Sequence, residues 1–182
     1  MYKQEMAKLD DRSMVKPSVL RWALFTVVFT ALSVVTPWIT HQFSLAGSVF
    51  LPMHFFVLVA GLLFGWRVGL SVGIMSPLVS YFISGMPIVS HLPFITFEIA
   101  TYGLFIGLLY KKWHFNLWVS LLSAMLIGRI ILGLAVYIIG FKLGPIDYVI
   151  NVVNLGWLGI LIQVAFIPLL VKWLGQYMKG TD

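Results

Sequence analysis

Apolar residues fill this chain in long, nearly continuous blocks, and the polar breaks between the blocks are short. A helix needs about 20 apolar residues to cross a bilayer, or about 17 when short. Six blocks approach or meet that length, at 18–37, 51–66, 68–84, 94–110, 117–140 and 153–172. The second and third are the shortest and are joined by "FGWRVG", a tight turn made feasible by Gly65 and Gly69, with Arg67 able to snorkel. Arg67 is also the only charged residue between Trp22 and Phe97. The pattern predicts an all-α integral membrane protein: one bundle of six transmembrane helices over residues 18–182, preceded by a polar segment at 1–17.

Composition agrees. Of the 182 residues 60% are hydrophobic and 10% charged, and the mean hydropathy is +0.99, whereas a soluble domain carries about 25% charged residues. The absence of cysteine excludes disulfide and thiol chemistry. A net charge of +6 would suit nucleic acid, but its placement points to membrane topology and no nucleic-acid partner is expected. Lys3, Lys8, Arg12, Lys16, Arg21, Arg67, Lys111, Lys112, Lys172 and Lys179 fall at one set of helix ends. Lys142 alone falls at the other, and Arg129 lies within a span. By the positive-inside rule both termini are expected in the cytoplasm. The first 17 residues are too polar for a signal peptide, so the first apolar run is expected to stay as a helix. The outer connections are then 38–50, 85–93 and 141–152.

Two ionisable residues interrupt the spans, and a charge at the bilayer centre costs about 2.5–3.5 kcal/mol even on lenient scales. Glu98 lies in "FITFEIATYGLFIGLLYKK", about 6 Å below the outer end of its span, and Arg129 lies about 16 Å below the end of the next. They are either an ion pair stitching two helices together or part of a water-accessible pocket, and both can hold if the pair frames that pocket. Tyr102 shares the face of Glu98 one turn away. Tyr137, Asn151, Asn154 and Trp157 gather in the outer half of the last two spans, Gln163 lies deeper, and "FLPMHFFV" places His54 just inside the second. The histidines lack metal-site spacing on one helix, so no metal and no cofactor are expected.

Small residues form a second pattern. Gly61, Gly65, Gly69 and Gly73 recur at every fourth position, Gly103 and Gly107 repeat the spacing, and Ala23, Val27, Ala31 and Val35 make a stripe on the first span. Such stripes let helix backbones approach closely. The chain has no phosphate-binding G-x-x-x-x-G-K-[ST] loop, no H-E-x-x-H and no G-x-S-x-G. A pump of this size would need a partner to supply energy, and no enzyme activity is expected.

Several stretches resemble one family. "LPMHFFVLVAGLLFGWRVGLSVGIMSPLVSYFISGMP", "FEIATYGLFIGLLYKK", "SLLSAMLIGRIILGL" and "GWLGILIQVAFIPLLVKWL" are similar to helices two to six of the substrate-binding S components of energy-coupling factor (ECF) transporters. The resemblance implies a binding subunit of an ECF-type ABC importer in a prokaryotic plasma membrane. Such a subunit captures a vitamin or vitamin precursor, such as a cobalamin precursor, pantothenate or another heteroaromatic vitamin. It docks on a membrane T component and two ATPase subunits. Carried onto this chain, the family's pocket picks out Glu98, Tyr102, Arg129, Tyr137, Asn151, Asn154 and Trp157, under lids at 38–50 and 85–93; His54 joins them from the reading of the second span. The docking motif, two alanines four residues apart, becomes Ala23, Val27 and Ala31, with valine at the middle position. The competing readings are a membrane scaffold protein, in which Glu98 and Arg129 are purely structural, and an intramembrane enzyme using Glu98 as a base.

Overall fold

The computed structural model describes residues 19–42 and 51–178, and all regular structure within them is helical. The helices are α1 (Val19–Gln42), α2 (Pro52–Phe64), α3 (Trp66–Ser84), α4 (Leu92–Gly107), α5 (Leu117–Ile139) and α6 (Pro145–Met178). A π-helical turn, Leu108–Lys112, extends α4. Five of them, counting α4 with its extension, are long and apolar enough to cross a membrane, while α2 is apolar but has only 13 residues. The polar segment 1–17 and positions 43–50 of the expected connection 38–50 lie outside the described residues.

Local chemistry sets the helix ends. Gly65 alone joins α2 to α3, with φ 87° and ψ −179°, a conformation that favours glycine. Its N–H donates to Gly61 O at 2.9 Å and its carbonyl accepts from Gly69 N at 3.0 Å, so one residue closes one helix and opens the next. Gly85, at φ 70°, ends α3, and Asn116 caps α5 by accepting a hydrogen bond from Trp118 N at 3.0 Å.

The connection expected over 141–152 is shorter than that, because α6 begins at Pro145 rather than at 153. Proline is preorganised for a first helical position, and Asp147 places negative charge at the positive end of the helix. Apolar content alone could not register either signal. Asn151 and Asn154 therefore lie well inside a helix instead of opening one.

Helix α4 occupies the middle of the bundle, packed against α2, α3 and α5, with α1 on α2 and α3, and α6 on α5 and α2. Backbone meets backbone where α3 crosses α4. A methyl group on Gly69 or Gly103 would run into the other's carbonyl, Gly73 lies against the Ala100 backbone, and Gly107 lies against that of Trp66. Around this seam Leu58, Leu62, Ile106, Leu121 and Ile167 form the main apolar core. A second cluster, with Val57, Ala60, Val68, Val72 and Ile99, fills the space between α2, α3 and α4.

Candidate functional site

Three helices begin and three end at the same end of the bundle, and a cavity of about 550 Å³ lies among them. Every helix contributes to its wall: Trp38 from α1, Met53 and His54 from α2, Ser80 and Ser84 from α3, Ile95, Glu98 and Ile99 from α4, Leu132 from α5, and Tyr148, Asn151, Val152 and Leu155 from α6. Met86, Pro87 and Ile88 of the 85–91 connection also border it. Arg21, Arg67, Lys111, Lys112 and Lys172 fall at or near the opposite helix ends, whereas among the described residues only Lys142 falls at this one. Because helix starts and stops alternate around the cavity, their terminal partial charges, each worth about 0.3–1 kcal/mol, oppose one another.

The polar centre of the site is built from four side chains on three helices. Glu98 is 1% exposed. Its Oε1 accepts a hydrogen bond from the Tyr102 hydroxyl at 2.8 Å and lies 2.6 Å from Arg129 Nη1. The Arg129 contact is a buried ion pair. His54 Nε2 stands 3.8 Å from Glu98 Oε2, and neither ring nitrogen of His54 has a hydrogen-bond partner. Gly128 makes the arrangement possible, since a methyl group there would strike the Tyr102 ring. Its absence lets α5 approach so that Arg129, the next residue, reaches Glu98. An unpaired buried carboxylate would cost several kcal/mol; here the guanidinium and the phenol offset that cost.

Two further contacts fix the wall. Leu51 adopts a left-handed conformation, φ 49° and ψ 46°, that is rare for a bulky residue. Its carbonyl accepts a hydrogen bond from Gln163 Nε2 at 3.3 Å, and its side chain covers Gly156. Nearer the bundle end, His91 Nδ1 and the Tyr148 hydroxyl are 2.7 Å apart and link the start of α4 to α6. Phe94, Phe141 and Tyr148 pack edge to face or tilted around that link.

Of the residues singled out by sequence, His54, Glu98 and Asn151 line the cavity. Tyr102 and Arg129 stand behind Glu98 and reach the site through it. Tyr137, Asn154 and Trp157 are not on the wall: all three are exposed on the outside of the bundle, Tyr137 at 76% and Trp157 at 56%. Each sits on the wrong side of its helix to meet the others. On α1, Val27 and Ala31 are exposed and Ala23 is half-buried.

Among the wall residues sequence reasoning passed over are Tyr148, Val152 and Leu155. They join Asn151 in an i, i+3, i+4, i+7 series along one face of α6. That series is readable in the sequence once the helix is started at Pro145.

Comparison with curated proteins and with solved structures finds no match. A family model described as the substrate-specific component of ECF transporters matches residues 24–174, from the first turns of α1 to the late part of α6. The chain therefore belongs to the ECF transporter substrate-specific components, the membrane subunits that bind the transported substrate.

Proposed function

We propose that this subunit captures a vitamin or vitamin precursor from outside the cell and delivers it to a T component and two ATPase subunits. The chain crosses the plasma membrane of a prokaryote six times, with both termini in the cytoplasm. The observation that carries this reading is the cavity at the lysine-poor end, with Glu98 on its wall and Arg129 paired to it from behind. With basic residues gathered at the far end, the positive-inside rule turns the cavity outward. Its volume of about 550 Å³ falls within the range of roughly 300–1,000 Å³ typical of small-molecule sites. The exposed face of α1 around Val27 and Ala31 is the surface offered to the T component.

The test is to isolate the chain with whatever it binds. Stoichiometric small molecule in the purified protein, together with copurification of an ATPase pair and ATP-driven uptake, is the expected result. A chain that retains no small molecule and joins no ATPase pair would instead fit a scaffold. The Glu98→Gln variant separates pocket from strut. It is expected to fold, by helical circular dichroism, and to lose at least tenfold in affinity for the copurified molecule; unchanged affinity removes Glu98 from the binding set.

A further inference from the structure

Resting on that reading, we infer that the cargo is an uncharged, largely apolar molecule with one hydrogen-bonding edge, seated over His54 and Glu98, and that carboxylate-bearing compounds are excluded. The distribution of charge around the cavity carries the argument. No Lys or Arg lies on the wall among the described residues. Residues 43–50, "FSLAGSVF", contain none either. Lys142 is exposed and off the wall, although its neighbours Phe141 and Leu143 are on it.

The guanidinium of Arg129 is already matched to the Glu98 carboxylate, and His91 Nδ1 is already engaged by Tyr148. An incoming carboxylate would leave water for a largely apolar chamber in which the Glu98 charge is already balanced by Arg129, and among the described residues no Lys or Arg on the wall would receive it. A cationic cargo gains little, because the Glu98 charge is balanced by Arg129.

What the wall does supply is a hydrogen-bonding corner. His54 is only 7% exposed, and both of its ring nitrogens lack partners. Its Nε2 stands beside Glu98 Oε2, too far away at 3.8 Å to satisfy it. A neutral imidazole offers one donor and one acceptor, and a carboxylate oxygen offers an acceptor. An amide, or a heteroaromatic edge with adjacent N–H and N or O, complements that corner. Met53, Ile95, Ile99 and Leu132 present hydrocarbon to the rest of the molecule.

The experiment compares matched pairs differing only in charge: nicotinamide with nicotinate, pantothenol with pantothenate, and benzimidazole with its 5-carboxylate. Binding to the full-length protein in lipid nanodiscs is followed by tryptophan fluorescence, since Trp38 is on the wall, and by calorimetry at pH 7.5. At least one uncharged compound is expected to bind, and each that binds should do so at least tenfold tighter than its anionic partner. Asn151→Lys adds a cation at an exposed wall position and is expected to narrow that ratio at least tenfold. An anion that binds as tightly as its neutral partner overturns the inference. So does an uncharged set in which nothing binds, or a ratio that Asn151→Lys leaves unchanged. ATP-driven uptake distinguishes the two proposals: a transporter that takes anions defeats only this inference, whereas a chain that joins no ATPase pair defeats the transport reading.

Discussion

Helices α3 and α4 behave differently along their lengths. Toward the lysine-rich end, Gly69 and Gly103 bring the two backbones into contact, with Gly73 against Ala100 and Gly107 against Trp66. Toward the other end the same helices carry Ser80, Ser84 and Ile95, and their walls stand apart around the cavity. Glu98 sits at the transition, two residues before Ala100. The difference teaches how one bundle can be rigid and hollow at once. The glycine seam holds α3 and α4 at a fixed separation, and that fixed separation sets where Glu98, Tyr102 and the wall stand before any ligand arrives. A preorganised wall spares binding part of the ordering cost that a mobile one would incur.

The contrast can be broken from either side. The largest effect is expected from Arg129→Met, which strips Glu98 of its counter-charge. Loss of one partner of a buried ion pair costs about 3–5 kcal/mol, so the unfolding midpoint in detergent should fall steeply, and adding Glu98→Gln should restore much of it. Gly103→Val attacks the seam, where the added carbons meet the Gly69 carbonyl. A cost of about 3 kcal/mol, the upper part of the overpacking range, should appear in thermal unfolding, with ligand affinity falling as the helices are forced apart. Tyr102→Phe removes one hydrogen bond to a charged group and is expected to cost about 1.5 kcal/mol, while helical circular dichroism stays unchanged. Smallest of all, Val27→Leu on the exposed face of α1, an apolar exchange that enlarges the small-residue stripe, should change stability by less than about 0.5 kcal/mol. It is expected to weaken copurification with the T component; intact assembly would move the docking surface elsewhere.

Much of the frame was legible because long apolar blocks are strong signals, and α1, α3, α4 and α5 fall close to where they were expected. The Glu98–Arg129 pairing was legible too, since two ionisable residues in neighbouring spans have few other ways to be accommodated. Which way the remaining polar residues face was not. In a membrane bundle the lipid side and the core side are both apolar, so Tyr137 and Trp157 carry no mark in the sequence of pointing outward. The early start of α6 was hidden for a related reason: "GPIDYVIN" is too polar to count as a span, yet Pro145 and Asp147 are good helix-starting residues. With that start misplaced, Tyr148 was assigned to a loop and its link to His91 could not be foreseen.

The brevity of α2 has a geometric consequence. Its 13 residues rise about 20 Å at 1.5 Å each, against about 30 Å of hydrocarbon in a typical bilayer. Its neighbour α3 climbs from the same Gly65 hinge for 19 residues, about 9 Å farther by the same rise. One post of the bundle is thus sawn off below the rim, and its uppermost turn, with His54, faces the cavity instead of continuing to the height of its neighbour.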